Sequence, residues 1–438
     1  DALGHLGEIG SLFEPSPDDL GALKAELVHA LSGDLFMAKV QDGVKDAHDA
    51  CEALSRRFDV VVANPPYMGS SSFNPFVAKW IKKHYPDSCR DLCTAFIERG
   101  MSMAKGAKLV SMITASSWMF ISSFETFRKN LLSRARITSM IQQSTHGFPY
   151  VTVPTTMFVL QLDSQNTTGC YIRLEDFDRP QWQRPKALEA VRNPDCGWFH
   201  RADASTFHDI PGSPIAYWAS EAMREAFKNG TPLVDIAKPR QGLATGNNDL
   251  FTRLWWETPR ASFLPNAKNE AEAFSSKAIW FPYNKGGAYR KWYGNNDTVI
   301  AFNRKAAEEL SKLGNHLPSR SLYFKPMLTW SKVSSGVIAF RFKNSGNLFD
   351  VAGTSIFGDK DSLTYLGGAL NSSVIMLMAS TLSPTLNFEV GQIATYPILE
   401  SDELYGRVCS LVESLRQDSK ADWDSQETSW DFKRNPLV

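Results

Sequence analysis

Cysteine is scarce in this sequence and net charge is absent, and each shortage removes a class of protein. Six cysteines, Cys51, Cys89, Cys93, Cys170, Cys196 and Cys409, are spread over 438 residues with no CxxC pair. That usage argues against a disulfide scaffold and for a reduced protein of the cytoplasm. His84, Cys89 and Cys93 lie near one another, but their spacing fits no zinc site and no metal is expected. Lys plus Arg and Asp plus Glu both total 47, so the whole chain exerts no net pull on nucleic acid. Any such binding must come from a local imbalance. No apolar run reaches the roughly 18 residues that a membrane span needs, and the amino terminus is not patterned as a signal peptide, so no membrane partner is expected. A glycine-rich phosphate loop is also missing. Gly4, Gly7 and Gly10 do not form GxGxxG and follow no apolar strand.

What remains is an ordinary globular composition, 43% hydrophobic and 21% charged, in a chain long enough for two or three domains. Its most informative stretch is FDVVVANPPY, Phe58 to Tyr67. The run Val60-Val61-Val62-Ala63 reads as a strand of a parallel sheet, apolar on both faces because both are covered. Asn64-Pro65-Pro66 ends it, since proline cannot donate to a ladder and bars helix from the residue before it. In open α/β sheets the loop beyond a strand's carboxyl end is where ligands bind. This loop offers the Asn64 side-chain oxygen and the Pro65 carbonyl as two acceptors, with the Tyr67 ring beside them. Such a set suits a planar group bearing an exocyclic or amide NH2. Two acceptors keep electron density on the nitrogen, so that it can attack an electrophilic methyl group. An amine inside a DNA duplex is out of reach, so a base would have to be flipped out. The bland alternative is a strand-ending turn, for which Asn and Pro are common.

FDVVVANPPYMGS, HYPDSCRDLCTAFIERG, GFPYVTVPTTMFVL, LSPTLNFEVGQIATYPI and ETSWDFKRNPLV together resemble the amino-group DNA methyltransferases of the N6-adenine type. More closely, they resemble the PglX (BrxX) family of BREX phage-defence systems. The resemblance covers most of the chain, and NPPY is its part specific for the reaction class. It implies S-adenosyl-L-methionine as methyl donor, double-stranded DNA as substrate, and other BREX proteins and phage anti-defence proteins as partners. By the same resemblance Asn64, Pro65, Pro66 and Tyr67 would be catalytic, and Phe148 would form the second wall of a base pocket. Asp91 and Phe96 would lie near the cofactor. In the family a glycine-rich cofactor loop precedes the part present here, which implies that the chain begins partway through its methyltransferase domain. ETSWDF sits mid-chain in the family, so the carboxyl end also reads as truncated.

Taken in order, a helical pattern runs from Leu20 to about Leu35. Residues 87–105 read as a helix capped by Asp87 or Ser88, with Leu92, Phe96, Ile97 and Met101 at helical spacing. Strands are expected at Lys108–Thr114, Ile137–Gln142 and Thr155–Leu162, the last closing the domain, with a helix at Glu125–Leu132. That alternation predicts an α/β fold, a doubly wound, Rossmann-like methyltransferase sheet over residues 1–165, incomplete at its amino terminus. Residues 166–230, rich in polar residues and proline, read as a connector holding a short helix at Glu221–Phe227.

An α+β target-recognition domain is expected over residues 231–400, and the start of a helical region over 401–438. Between Lys277 and Lys343 there are twelve Lys or Arg against three Asp or Glu, interleaved with Trp280, Tyr283, Tyr289, Trp292, Tyr323 and Trp330. This is the local imbalance sought above. Lys285, Arg290, Lys291, Arg304, Lys305 and Lys325 are its DNA-binding candidates. A solvated charged face over an aromatic core would look the same. Phe340–Phe357 reads as a strand pair and Tyr365–Met378 as an apolar helix. Two further readings of the whole chain stay open at this stage. An NPPY loop also serves glutamine methylation in proteins, because an amide nitrogen has similar geometry, and a non-catalytic DNA-recognition module would need no cofactor loop.

Overall fold

The computed structural model describes residues 5–30, 38–150, 152–164, 167–334, 337–382 and 387–434. Gly4 and the end of the predicted Leu20–Leu35 helix fall outside them; the helix itself is seen as Pro17–Ala30. The chain divides into two compact units, Asp1–Trp218 and Ala219–Val438.

The first unit is built on six strands: β1 (Phe58–Ala63), β2 (Ala104–Ala115), β3 (Ala135–Gln142), β4 (Thr155–Leu162), β5 (Thr168–Arg173) and β6 (Phe199–Asp203). They hydrogen-bond in the order β1-β2-β4-β3-β5-β6. β1 and β2 run parallel, as do β3 and β5, while β4 opposes both β2 and β3, and β6 opposes β5. The sheet is thus mixed. Its core is set by period-two burial: Ile137 and Met140 of β3 meet Phe158 and Leu160 of β4, with Trp118 and Phe127 packed edge to face. The helix Leu92–Met103 lies close against this layer. A Cβ on Gly100 would meet Met112 Cε at 2.5 Å and Val110 Cγ1 at 3.2 Å, so a larger residue there would have to push the Met112 side chain aside.

The apolar run of β1 is not buried on both faces as expected. Val60 and Val62 are 54% and 74% exposed, whereas Val61 and Ala63 pack on the core. Among the described residues β1 has β2 as its one neighbour, and an apolar run reports a strand without reporting what covers it. The helix expected over 87–105 starts later. Asp91, in extended conformation, caps it by accepting from Cys93 N at 2.9 Å. Asp87 instead accepts from Asn130 Nδ2, and Ser88 donates to Glu98 Oε2.

The stretch 166–230 is not a connector over most of its length. β5 and β6 extend the sheet, and the helix Pro180–Arg192 joins them. Thr155–Leu162 is therefore not the closing strand. Gly169 shows how tightly β5 is fitted, since a Cβ there would sit 2.1 Å from the Ile137 carbonyl oxygen. Gly169→Ala is expected to destabilise the protein by about 1–3 kcal/mol, as overpacking of a well-filled site does. Chemical denaturation checks it, and an unchanged midpoint would show that β5 shifts freely.

The second unit uses short strands: β7 (Thr231–Pro232), β8 (Lys238–Arg240), β9 (Thr252–Leu254), β10 (Trp280–Asn284), β11 (Thr298–Ala301), β12 (Met327–Thr329), β13 (Arg341–Lys343), β14 (Leu348–Phe349), β15 (Ser355–Phe357) and β16 (Pro397–Ile398). They form sheets β14-β10-β11-β9 and β13-β12-β15-β8 and the pair β16-β7. Phe281, Phe302, Phe324 and Phe349 fill the core. The strand pair read at Phe340–Phe357 is really three short strands split between the two larger sheets. The helix read at Tyr365–Met378 is two helices, Lys360–Leu370 and Ser373–Leu382. Asn371 sits at the break, and its amide both accepts from Phe340 N and donates to Phe340 O at 3.0 Å, as a strand neighbour would. The helix Asp402–Asp424 packs on Lys360–Leu370, with Tyr405 stacked on Tyr365 at 4.7 Å, so residues 402–424 are part of this unit. No single helix among the described residues is long and apolar enough to cross a membrane.

Candidate functional site

The ladder registers decide what can meet at one edge of the first sheet. Ala63, the last residue of β1, lies opposite Met112, and Ala115, the last of β2, lies opposite Thr155, the first of β4. The carboxyl ends of β1, β2 and β3 therefore share an edge with the amino end of β4, and the loops leaving it converge. They enclose a cleft of about 720 Å³ lined by Asn64, Pro65, Pro66, Tyr67, Ile113, Phe148, Pro149 and Thr155. Asn64–Tyr67 come from the loop after β1, and Phe148 from the β3–β4 loop. Residues 84 positions apart in the chain, Asn64 and Phe148, thus share one cleft.

Within the first loop the Tyr67 hydroxyl donates to Asn64 Oδ1 at 3.2 Å. Burial pushes the Tyr67 phenol above its usual range, which keeps it a donor. The Asn64 oxygen has a second lone pair for an incoming N–H. The loop is braced from behind by Asp91. One oxygen of its carboxylate accepts from Met68 N at 3.3 Å as well as from Cys93 N, while Leu92 N donates to Met68 O at 3.0 Å.

The second loop is braced too. The His146 main-chain N–H donates to Asp178 Oδ1 at 3.0 Å, and His146 Nδ1 lies 2.8 Å from Asp178 Oδ2. The His146 imidazole, followed by its main-chain N–H, holds the Asp178 carboxyl below the usual range. Gly147 N closes a turn onto Ser144 O at 3.0 Å. Thr155 Oγ1 donates to the buried Gln143 Oε1 at 2.8 Å.

Other expected site residues sit differently. Phe96 packs, half-buried, against a cluster containing Ile81, Tyr85 and Ala95. Asp91 has one oxygen committed to two main-chain N–H groups. His84 stacks on Trp80 at 4.5 Å, Cys93 is buried and Cys89 donates to Pro86 O, so these three do not converge as metal ligands, and all six cysteines are free thiols.

In the second unit the basic stretch is more internally compensated than its count implies. Lys285 donates to Asn248 Oδ1 at 2.9 Å, Arg290 pairs with Asp422 at 2.9 Å, and Lys291 donates to Asn371 O at 2.9 Å. Arg320 and Lys332 pair with Glu270 and Glu389. Arg341 and Lys343 are buried, and Lys343 donates to Gly294 O and Asn295 O. Tyr283, Tyr323 and Trp330 are core residues, whereas Tyr289 is 56% exposed. Arg304, Lys305 and Lys325 are exposed.

Ile113, Pro149 and Thr155 also line the cleft, and Asp178 and His146 brace it. Sequence reasoning did not single these out. They are an apolar strand residue, turn residues and a carboxylate in an apparent linker, with no local pattern to mark them.

The chain is similar to known proteins at three levels. Residues 26–148 match the family model of the Eco57I restriction-modification methylase. All of the chain aligns at 36% identity with the adenine-specific methyltransferase PglX of Lacticaseibacillus casei (strain Zhang), of which it spans 38%. At 33% identity, 98% of it aligns with the adenine-specific methyltransferase BrxX of Escherichia coli O9:H4 (strain HS), of which it spans 35%. Its fold is similar to that of the Type IIL restriction-modification enzyme MmeI in complex with DNA, with a TM-score of 0.56 over 90% of this chain and 53% of that one at 12% identity. The DrdV–DNA complex gives a TM-score of 0.51 over 90% of this chain and 47% of that one at 13% identity. Over the stretch it spans, the chain belongs to the family of the adenine-specific methyltransferases PglX and BrxX.

Proposed function

We propose that the cleft seats one adenine extruded from duplex DNA and that the protein methylates its N6 amine. The observation that carries this reading is the convergence of Asn64, Pro65, Tyr67 and Phe148 on one cleft. Asn64 Oδ1 and the Pro65 carbonyl accept the two N–H bonds of the amine. That holds the lone pair on nitrogen and aims it away from the loop. Tyr67 and Phe148 stack on the two faces of the base, offsetting part of an unstacking cost of a few kcal/mol. The donor this reaction class calls for, S-adenosyl-L-methionine, carries its methyl group on a positively charged sulfur. The doubly wound methyltransferase sheet, and duplex contacts by a target-recognition domain within the second unit, belong to the same proposal. There Arg304, Lys305 and Lys325 are the exposed members of the six cations and the better phosphate contacts. Marking of host DNA in BREX phage defence would be the biological setting, with other BREX proteins and phage anti-defence proteins as partners.

The direct test is nucleoside mass spectrometry of DNA incubated with the protein and methyl donor, beside peptide mass spectrometry of glutamine-containing substrates. N6-methyladenine in the DNA is expected. Unmodified adenine together with methylated glutamine would overturn the reading. The wall residues give a second test. Phe148→Ala removes a stack worth about 1–3 kcal/mol per base, and so is expected to weaken capture of the extruded base roughly 5- to 150-fold. The fluorescence of 2-aminopurine at the target position reports it, and a signal equal to that of the unaltered protein would remove Phe148 from the pocket.

A further inference from the structure

Among its described residues, the loop that carries Phe148 has no helix or strand of its own, so other contacts must fix the ring. Its turn is tight: a Cβ on Gly147 would meet Gln143 Cβ and Ser144 O, each at 3.1 Å. Gln143 and Ser144 are buried, and Gln183 Nε2, from the helix Pro180–Arg192, donates to Ser144 Oγ at 3.2 Å. Those contacts anchor the start of the loop. Among the described residues, the segment next to Phe148 is tethered by the two-point contact of His146 with Asp178. Asp178 lies between β5 and β6, in a stretch whose composition reads as a linker. Nothing in the proposed chemistry requires a carboxylate there.

We infer that Asp178 is a positioning residue for the base pocket: by holding both the main chain and the imidazole of His146, it sets the place of the Phe148 ring two residues on. This rests on the proposed reading of the cleft. The carboxylate presents one oxygen to each of two donors on the same residue, which fixes orientation as well as distance. Without it the segment from His146 onward keeps the Gly147–Ser144 turn but loses its outer support, and the ring samples positions that do not stack on a base. The side chains are about half exposed, so the tether should matter to loop placement and little to global stability.

The test uses the protein with Asp178→Ala, Asp178→Asn and, as reference, Phe148→Ala. Amide hydrogen exchange at 145–149, measured without substrate, reads the tether itself. Asp178→Ala is expected to speed exchange at the His146 amide about tenfold, the scale of one lost hydrogen bond. Asp178→Asn, whose side-chain oxygen still accepts from that N–H, should stay near the unaltered rate. Methylation of mixed-sequence genomic DNA reads the function. Asp178→Ala should raise KM or lower kcat in the same direction as Phe148→Ala, at unchanged melting temperature, with recovery in Asp178→Asn. Unchanged exchange in Asp178→Ala would overturn the tether. Faster exchange with unchanged methylation would overturn the positioning role while leaving the pocket intact. Full activity in Phe148→Ala would instead overturn the reading of the cleft on which the role depends.

Discussion

Asn64→Ala is expected to lower the rate of adenine methylation by roughly 10²–10³-fold, the cost seen when one hydrogen-bonding group aimed at developing charge is removed. The amine nitrogen turns partly positive as it takes the methyl group, and an acceptor on its N–H bond is stronger in that state than in the ground state. The variant leaves Pro65 and the wall residues in place, so the base should still enter. Affinity for duplex DNA rests chiefly on phosphate contacts and should change by less than about threefold. Single-turnover methylation beside a DNA-binding titration separates the two effects. Methylation near the unaltered rate would remove Asn64 from the mechanism. A parallel collapse of DNA affinity would mean that Asn64 shapes the fold and does not act on the amine.

The second large effect is on stability. Arg128 is fully buried and donates to the carbonyls of Trp118 and Ile121, at 2.8 and 2.7 Å, and to those of Gly212 and Ser213. Burial pushes its guanidinium down to about 10, so it remains charged at neutral pH. It thereby ties the end of the first unit to the turn after β2. Arg128→Met keeps much of the volume and leaves four carbonyls without that donor. Each unmet buried group costs about 1–3 kcal/mol, and with partial relaxation the total should be roughly 3–5 kcal/mol. For a unit of this size that lowers its melting temperature by about 10 °C. Scanning calorimetry measures it. A shift under about 2 °C would show that residues 212–213 are held by other contacts.

How far the sequence was legible depended on the range of the interaction involved. The bounds of β1 and the corner after it follow from local facts, an apolar run and two prolines, and Phe58–Ala63 matches the run. Whether β1 is covered is a question of neighbours, and Val60 and Val62 proved exposed. The meeting of Phe148 with Asn64 came only through the family resemblance, because strand order brings them together and local patterns do not encode it. The start of the helix at Leu92 was misplaced because Asp87, Ser88 and Asp91 are all competent caps. The choice among them depends on Asn130 and Glu98, which occupy the first two.

Residues 168–203 looked like a linker because their strands are short and flanked by Asp, Pro and Asn. β5 pairs with β3 and β6 with β5, which a single sequence cannot show. The basic stretch misled in a different way. The carboxylates that pair with Arg290, Arg320 and Lys332 are Asp422, Glu270 and Glu389, all outside the counted window, and two of the cations are interior.

The central claim is that the corner after β1 receives an unstacked adenine, and the most direct measurement is a structure of the protein bound to DNA containing its target site. The expected result is one adenine out of the helix between Tyr67 and Phe148, its N6 within hydrogen-bond reach, about 3 Å, of Asn64 Oδ1 and the Pro65 oxygen. A complex in which every base stays stacked and the Tyr67 hydroxyl still closes on Asn64, with the duplex held elsewhere, would contradict it.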